Sequence, residues 1–599
     1  MGTRPPFLAF GQLICCQDDE CKVYMGFAPY SRCCFNNFEA RYIMKQRTLL
    51  LFFAFVFWTI FFLTARGLFL LYFSSARAGL SFPEIMAIFE HGISMDFSAA
   101  AYATAFTGLV LGLFYFRTGI QLWPFWMVVH VLLLVVASLV IVYDLAAYPA
   151  WNYRIDVRTL GSFSEITSIH SVGELATLLA VLVVFAGTGL FLLQRIFRSR
   201  FYSLRATALP TLPVILTLTA LLVIPMRGSL SVVSMNASFA YSHATNRFAN
   251  HAGVNAVWNF ASSLTWPTTE SAAPVTPGAK AVYAPADVAD SLSTLVKGIG
   301  PNVIILVIDR FPAEFIGALG GRSDVTPRFN ALVSEGALFD QFFSNSKGIS
   351  QGLPALLNSD PSDSPVGAMV DVRRAQGLPF LNKAFKALGY RTGFTYGGWA
   401  TEENLRAYLF NAGFDSITNA NQFVAERRTG RWGVPDEFVF GKFSDEVFHD
   451  RQPFFRVMMA QSTRRPYDAP METVFKGQDE EAKFMNAMHY ADRWLGNFVD
   501  QAKKTLWWQN TLIIVTSGQG EGVVADAASA ATPSRIPMLW LGGAMTQPGK
   551  VIHAHGNQTD LCNTLLSQLG HPSDNFSFSR NILAADSNRR VRADYAAIH

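Results

Sequence analysis

Long hydrophobic runs are confined to the first 230 residues of the chain. Five windows are each long enough to cross a bilayer, which takes about 20 residues of helix. They carry almost no charge, with Arg66 in the first window and His130 in the third. Because a backbone inside a bilayer must satisfy its own hydrogen bonds, we predict that all five windows are membrane-spanning helices. The windows cover residues 49–73, 97–116, 123–143, 175–193 and 206–226.

After residue 300, short apolar runs alternate with stretches of helical periodicity. The apolar runs have the length and composition of strands that are buried on both faces of a parallel sheet. The alternation predicts an α/β domain with a mostly parallel sheet. The predicted strands cover residues 302–308, 454–460, 511–516 and 537–541, and the predicted helices cover residues 327–335, 378–388, 480–504 and 559–569.

Composition divides the chain into five parts. The membrane domain covers 44–227, a linker on the extracytoplasmic face covers 228–300, the α/β domain covers 301–585 and a tail covers 586–599. Residues 1–43 contain no spanning window, and Met44 with the basic and apolar residues after it is typical of a membrane-protein start. We interpret residues 1–43 as a cytoplasmic extension upstream of the natural start.

An alternative function for the extension is metal or thiol chemistry. Five of the six cysteines lie within the first 34 residues. Their spacing matches no zinc-binding pattern, which favours the interpretation as a mis-assigned start.

Charge predicts the orientation in the membrane. The chain of 599 residues is 51% hydrophobic and only 15% charged, against about 25% charged in ordinary globular proteins. Its net charge of +4 gives no support to nucleic-acid binding. The membrane windows make membrane lipids the expected partners. Basic residues precede the first window and occupy the second and fourth loops, notably Arg47, Arg117 and Arg205. The positive-inside rule therefore places the N-terminus inside and, after five crossings, the C-terminal domain outside.

Asp309 directly follows the first predicted strand of the α/β domain. Ligands of such sheets bind at the carboxyl ends of the strands. Asp309 is therefore a candidate functional residue.

An ordered series of short motifs resembles the sulfatase (alkaline phosphatase) superfamily, in particular its lipoteichoic acid synthase-like phosphoglycerol transferases. The resemblance runs from Met44 to about residue 585 and includes the membrane windows. It implies a multi-pass protein of the inner (cytoplasmic) membrane with a periplasmic sulfatase-like α/β domain. The motifs lie at 302–309, 325–330, 336–339, 348–354, 396–398, 432–437, 490–496, 510–515, 536–543 and 558–561.

The resemblance implies a divalent metal, often manganese, that activates a Thr or Ser nucleophile. A metal lowers the pKa of a bound oxygen by many units, which makes a hydroxyl a competent nucleophile. Asp309 aligns with an acidic metal ligand, but Ile349 aligns with the nucleophile, and Gly518 and Gln519 align with an Asp-His ligand pair. We therefore interpret Asp309 as a vestigial ligand and expect no cofactor. Ser350, next to Ile349, is the candidate catalytic residue if the site is active, with manganese or another divalent metal.

Several further residues have two interpretations. Substrate binding is implied for Arg464, whose guanidinium can bind phosphate in a bidentate manner, while the alternative for the Arg464-Arg465 pair is a solvated surface. For Asp436 and Glu437 the alternative to substrate binding is the acidic first turn of a helix. The full substrate-binding set is Tyr396, Gly397, Trp432, Asp436, Glu437 and Arg464.

Four acidic or histidine residues could rebuild a metal site. Glu521 follows the lost Asp-His pair, and His553, His555 and Asp560 cluster before the last predicted helix. His-x-His next to an Asp is a known type of ligand set. We favour the alternative that these residues form a polar loop.

These observations give two main hypotheses. The first is a pseudoenzyme that binds or senses an envelope glycolipid, a phospholipid headgroup or a membrane protein partner. The second is an active phosphoglycerol- or phosphoethanolamine-type transferase that uses Ser350. Sulfatase hydrolysis is disfavoured, because no Cys/Ser-x-Pro/Ala-x-Arg motif follows Asp309.

Overall fold

The structure is a computed structural model that describes residues 14–17, 20–23, 30–206, 212–230, 232–266, 294–298, 300–361, 366–522 and 534–584. Residues 267–293 of the predicted linker and the whole predicted tail lie outside the described residues. The helices are α1 (Tyr30–Tyr72), α2 (Ser74–Arg77), α3 (Phe82–Leu113), α4 (Gly119–Trp151), α5 (Phe163–Ser168), α6 (Val172–Tyr202), α7 (Leu212–Leu221), α8 (Val223–Arg227), α9 (Arg247–Gly253), α10 (Ala256–Ser263), α11 (Pro327–Leu332), α12 (Ile349–Asn358), α13 (Val372–Gly377), α14 (Leu381–Ala387), α15 (Leu405–Ala412), α16 (Asp436–Phe448), α17 (Glu480–Ala502) and α18 (Leu561–Gln568).

The strands are β1 (Ile14–Gln17), β2 (Glu20–Val23), β3 (Asn302–Arg310), β4 (Gly336–Phe339), β5 (Phe342–Phe343), β6 (Arg391–Tyr396), β7 (Ser416–Thr418), β8 (Phe454–Ala460), β9 (Thr511–Gln519), β10 (Met538–Leu541), β11 (Lys550–Ile552) and β12 (Gly556–Asn557). The chain divides into two compact units, which are described separately. The first comprises Met1–Gly79, Gly92–Gly228 and Asn255–Ala261, and the second comprises Leu80–His91, Ser229–Val254 and Ser262–His599.

Within the described part of the chain, four helices are long and apolar enough to cross a membrane, and they confirm four of the five predicted spans. They are Met44–Tyr72 within α1, together with α3, α4 and α6. The prediction of a fifth long helix is wrong, because that window forms two shorter helices, α7 and α8. Pro225 has no N–H to bond the Leu221 carbonyl, which interrupts the helical hydrogen bonding where α7 ends.

The two short helices nevertheless run along α3. The Ser98 hydroxyl donates to the Met226 carbonyl at 2.7 Å. Further along α3, a Cβ on Gly108 would lie 2.8 Å from Thr219 Cγ2, and a Cβ on Gly112 would lie 3.0 Å from Leu216 Cδ2. Later residues of α3 therefore contact earlier residues of the α7–α8 segment. The two short helices pack antiparallel to α3.

Two buried arginines hold segments of the helical unit together. The Arg47 guanidinium donates to the carbonyls of Leu111, Tyr115, Arg117 and Arg205 at 2.6 to 3.1 Å. The segments predicted to face the same side of the membrane therefore meet at one end. Elsewhere in the unit, Asp96 pairs with Arg66 at 2.8 Å and accepts a hydrogen bond from Asn255 at 2.8 Å. Pairing of this kind is how ionisable groups persist in apolar surroundings.

The second unit is built on an eight-stranded, mostly parallel sheet, as predicted. The strand order is β11-β4-β10-β9-β3-β8-β6-β7, and among the described strands of this sheet only β10 runs antiparallel to its neighbours. All four predicted strands are present as β3, β8, β9 and β10. Four short or partly polar strands of the sheet were not predicted, namely β4, β6, β7 and β11.

The central strand β3 is buried on both faces. Val303, Ile305 and Val307 belong to one hydrophobic cluster. Ile304, Leu306 and Ile308 belong to the cluster on the opposite face of the sheet. The helices predicted around residues 327–335, 378–388, 480–504 and 559–569 are present as α11, α14, α17 and α18. The fully buried strand directs Asp309 to the carboxyl edge of the sheet.

Candidate functional site

Four sheet strands bring polar residues to one edge. Asp309 lies near the end of β3, and Gln519 ends the neighbouring β9, where Arg310 pairs with it in register. On the other side of β3, β8 leads into the loop that carries Arg464, and Tyr396 ends β6. The carboxyl ends of adjacent parallel strands thus assemble the site, as expected for this class of fold.

Asp309 is fully buried, and its two carboxylate oxygens have different neighbours. Oδ1 accepts a hydrogen bond from Gln519 Nε2 at 2.8 Å. Oδ2 lies 3.0 Å from Arg464 Nε in an ion pair. An uncompensated carboxylate in this position would be costly, so the guanidinium stabilises the buried charge.

The Arg464 guanidinium also contacts two glutamates and an indole. Its Nη1 pairs with Glu402, and its Nη2 lies 3.5 Å from Glu403. The Trp432 ring centroid lies 4.2 Å from Arg464 Cζ, within cation–π range. Burial lowers the pKa of Arg464, but attraction to Asp309 and Glu402 outweighs burial and raises the pKa above its usual value. The side chain therefore remains a fixed positive charge.

The loop that supplies the two glutamates has an unusual backbone. Glu403 has φ 41° and Asn404 has φ 67°, a left-handed conformation that non-glycine residues rarely adopt. Asn404 is fixed by Ser238, whose hydroxyl donates to it at 2.8 Å, and it donates to the Met369 carbonyl at 3.1 Å. Strain of this type persists where surrounding contacts hold it in place.

Sequence reasoning missed Glu402 and Glu403. The available signal was a pair of adjacent acids a few residues after the Tyr-Gly-Gly motif at 396–398. The Tyr396 hydroxyl donates a hydrogen bond to Glu402 Oε2 at 2.6 Å. Burial raises the pKa of Glu402 to about 7, although Arg464 opposes that shift.

The positions that the resemblance assigns to chemistry are filled by an apolar contact. Ile349 starts α12 and is 3% exposed. A Cβ on Gly518 would lie 2.6 Å from Ile349 Cδ1 and 3.2 Å from the Asp309 carbonyl oxygen. The bulky Ile349 and the small Gly518 are thus complementary in volume. Ser350 is the second residue of α12, and its carbonyl accepts from the Met369 amide at 3.5 Å.

A divalent metal does not fit this set of groups. Metal binding requires free oxygen or nitrogen lone pairs, whereas the two partners of Asp309 present N–H groups and one is a cation. Ile349 and Gly518 supply no side-chain donor. Within the described ranges, no three His, Cys, Asp or Glu side chains converge in a way that could hold a metal ion.

The residues considered for a rebuilt site have separate partners. His553 is 76% exposed and lies 2.8 Å from Asp340, while His555 stacks on Phe343 with ring centroids 5.6 Å apart. Asp560 pairs with Arg580 at 3.2 Å, and Glu521 pairs with Arg310. These contacts favour the polar-loop interpretation.

A small cleft opens beside Arg464. Its water-accessible volume is only about 20 Å³, and it is lined by Gly430, Trp432, Gly433, Val434, Pro435, Gln461, Ser462, Arg464 and Asp468. Trp432 and Arg464 are thus the two predicted substrate-binding residues that line it. Arg464 contacts three carboxylates rather than bulk solvent, so its predicted binding of phosphate stays a prediction.

The other four predicted substrate-binding residues, Tyr396, Gly397, Asp436 and Glu437, do not line the cleft. Asp436 lies in the first turn of α16, as the alternative proposed, and accepts from the Gln461 amide at 2.9 Å. Burial raises the pKa of Asp436 to about 6. The Gly397 carbonyl accepts from the Val434 amide at 2.9 Å, and the Glu437 amide donates to the Tyr490 hydroxyl at 3.2 Å.

Comparison with known proteins agrees with this architecture. Residues 301–571 match the protein family described as Sulfatase. This segment is a sulfatase-family domain.

Curated relatives of the sulfatase-family domain include two named transferases or synthases. Phosphoglycerol transferase I of Xanthomonas campestris is 25% identical over 219 residues, which cover 35% of this chain and 31% of the relative. Lipoteichoic acid synthase of Staphylococcus saprophyticus is 22% identical over 316 residues, which cover 48% of each chain. The chain therefore spans about a third to a half of the length of these relatives.

Among solved structures, a protein of the alkaline phosphatase superfamily from Vibrio parahaemolyticus is 28% identical to this chain. The match has a TM-score of 0.45 and covers 51% of this chain and 75% of that one.

The volume match between Ile349 and Gly518 can be tested by a double-mutant cycle. We expect Gly518→Ala to lower the free energy of unfolding by about 1–3 kcal/mol, because its new methyl group meets Ile349 Cδ1. Ile349→Val removes that Cδ1 atom and should cost about 1 kcal/mol alone. The double variant should lose clearly less than the sum, as measured by urea unfolding of the detergent-solubilised full chain. Strict additivity would contradict the proposed contact.

The protonation of Glu402 predicts a pH-dependent stability. Its folded pKa of about 7 lies above the unfolded value of about 4.5, so the folded state binds more protons between these values. Stability should therefore fall as pH rises through this window, by up to about 3 kcal/mol for this group. Glu402→Gln should flatten the pH dependence of the free energy of unfolding.

Glu403→Gln is the matched control, since it changes the neighbouring acid and keeps Glu402. We expect this variant to retain the fall in stability that Glu402 contributes. An unchanged slope in Glu402→Gln would show that Glu402 does not titrate in this range.

Proposed function

We propose that this protein is a membrane-anchored, catalytically impaired member of the sulfatase family that binds an envelope lipid or glycolipid and acts in regulation. One observation carries the proposal: the nucleophile and ligand positions hold Ile349 packed against Gly518, beside an Asp309 that is already paired. The crevice of the fold is retained while its reactive groups are not.

Transfer of a phosphoester group would require an activated nucleophile at this edge. A hydroxyl is a weak nucleophile at neutral pH unless a base, a lowered pKa or a metal activates it. Asp309 is a weak base in this arrangement, because Gln519 donates to Oδ1 and the Arg464 cation is paired with Oδ2. The arrangement therefore supports binding over group transfer.

The candidate binding surface is the cleft beside Arg464. An indole, a carboxamide, a carboxylate and a glycine-containing turn line it, from Trp432, Gln461, Asp468 and Gly430–Pro435. A few polar groups around an aromatic side chain are typical of small-ligand sites. A glycolipid or phospholipid headgroup is the proposed ligand class, and a membrane protein partner is the proposed recipient of a regulatory signal.

An active phosphoglycerol- or phosphoethanolamine-type transferase is the alternative. It requires Ser350 to replace Ile349 at the strand ends, which would rotate the start of α12 and expose the buried Ile349 side chain. The names of the curated relatives make a phosphoglycerol lipid the first substrate to test.

We place the protein in the inner (cytoplasmic) membrane with its α/β domain on the periplasmic side. Support comes from Arg47, Arg117 and Arg205, which meet at one end of the helical unit. The positive-inside rule assigns that end to the cytoplasm. Four long helices and the α7–α8 pair make five traverses, an odd number that moves the chain to the opposite side.

Turnover of a phosphoglycerol lipid separates the two hypotheses. We expect the full chain in nanodiscs containing phosphatidylglycerol and manganese to release no more diacylglycerol than empty nanodiscs. Ser350→Ala should change neither this baseline nor the folded state. Turnover that Ser350→Ala abolishes would replace the proposed function with the transferase hypothesis.

Cysteine labelling in spheroplasts tests the orientation. Asp324 is exposed in the α/β unit, and Arg198 is exposed in the last two turns of α6, the fourth long helix. We expect a membrane-impermeant maleimide to label Asp324→Cys in intact spheroplasts, and Arg198→Cys only after permeabilisation. Because the native cysteines are a background, each variant is compared with the unmodified chain. The reverse pattern would contradict the assigned orientation.

A further inference from the structure

We infer that the Arg464 guanidinium is the resident cation of this site, supplied by the protein itself where the family resemblance places a metal. The inference deepens the proposed metal-independent function and rests on it. It assigns Arg464 to holding the site together, in place of a predicted role in binding phosphate.

Each nitrogen of the guanidinium faces a different carboxylate. Nε lies 3.0 Å from Asp309, Nη1 contacts Glu402, and Nη2 lies 3.5 Å from Glu403. The three acids come from two separate parts of the chain, β3 and the loop after β6. One guanidinium thus pairs with acidic residues from two parts of the chain, a role that metal ions have in other proteins. The planar guanidinium can do this because its N–H donors point in fixed, different directions.

The cation is needed because Asp309 is fully buried. A buried carboxylate requires a charged partner, and removal of one partner of such a pair typically costs more than the pair itself contributes. Gln519 supplies a hydrogen bond but no charge. Arg464 is the described residue that supplies the positive charge to Asp309, and it is covalently attached and cannot be removed by a chelator.

The same side chain also forms a wall of the cleft. Arg464 stacks on the Trp432 ring, and the Trp432 indole N–H donates to the Arg465 carbonyl at 2.5 Å. The cation that neutralises Asp309 therefore also positions the aromatic residue beside the candidate ligand. It follows that the cleft should keep its shape without any added metal.

A pair of adjacent arginines gives a matched test in the full chain. Arg464→Ala removes the cation, whereas Arg465→Ala removes a neighbouring guanidinium that is 57% exposed. We expect the melting temperature to fall by several degrees in Arg464→Ala and to stay within the error of the unmodified protein in Arg465→Ala. Equal effects of the two substitutions would overturn the inference.

Chemical rescue distinguishes a cation role from general packing. Low-millimolar guanidinium, far below denaturing concentrations, should raise the melting temperature of Arg464→Ala and leave that of Arg465→Ala unchanged. A methylated urea of similar size, which carries no charge, should not rescue. Absence of rescue by guanidinium, or equal rescue by the urea, would contradict the assignment.

A further variant keeps the test decisive if Arg464→Ala fails to fold. Asp309→Asn in the Arg464→Ala background removes the uncompensated charge and should restore much of the lost stability. Arg464→Lys should give an intermediate melting temperature, because it keeps the charge but loses the planar fork. A double variant no more stable than Arg464→Ala would count against the inference.

Metal addition separates failure of this inference from failure of the proposed function. We expect neither manganese nor a chelator to shift the melting temperature of the unmodified protein. A manganese-dependent rise without lipid turnover would overturn the role of Arg464 and leave the binding function standing. Lipid turnover would overturn the proposed function whatever the melting temperatures show.

Discussion

A carboxylate buried at the end of the central strand has to be neutralised, and the site is arranged around that requirement. Asp309 is placed by β3, whose side chains are buried on both faces of the sheet. Its charge is balanced by Arg464 from the loop after β8. Since a buried ion pair stabilises only when its geometry and hydrogen bonding are favourable, the surrounding contacts carry much of the cost.

Those surrounding contacts explain features that would otherwise be unrelated. The left-handed backbone at Glu403 and Asn404 is held by Ser238 and Met369, and it brings Glu402 and Glu403 to the guanidinium. The apolar contact between Ile349 and Gly518 closes the space beside Asp309. These contacts together fill the edge of the sheet around Asp309, which is the physical basis for proposing a binding role.

The sequence could predict the parts of the structure that depend on local pattern. Continuous apolar runs identified four helices and the four strands β3, β8, β9 and β10, and strand-end logic identified Asp309. The fifth window was predicted as one long helix but forms the two short helices α7 and α8. Hydrophobicity alone does not report the hydrogen bond that Pro225 removes. Short strands such as β6 were missed because they contain polar residues and glycine that pack only in the assembled sheet.

The partners of Arg464 could not be predicted, since they depend on contacts between segments far apart in the chain. Glu402 and Glu403 looked like ordinary acids after a motif, and Arg464 looked like a surface cation available to phosphate. Only the folded sheet shows that the strand ends bring them together with Asp309. The departures from the family motifs at Ile349, Gly518 and Gln519 were visible in the sequence, but the ion pair between Arg464 and Asp309 was not.

The most direct test is an anomalous diffraction map from crystals of the full chain grown with manganese, recorded at the manganese absorption edge. The account predicts no anomalous peak at the carboxylate of Asp309 and clear density for the Arg464 guanidinium against it. A manganese peak bound to Asp309, with Arg464 displaced from its three carboxylates, would contradict the account.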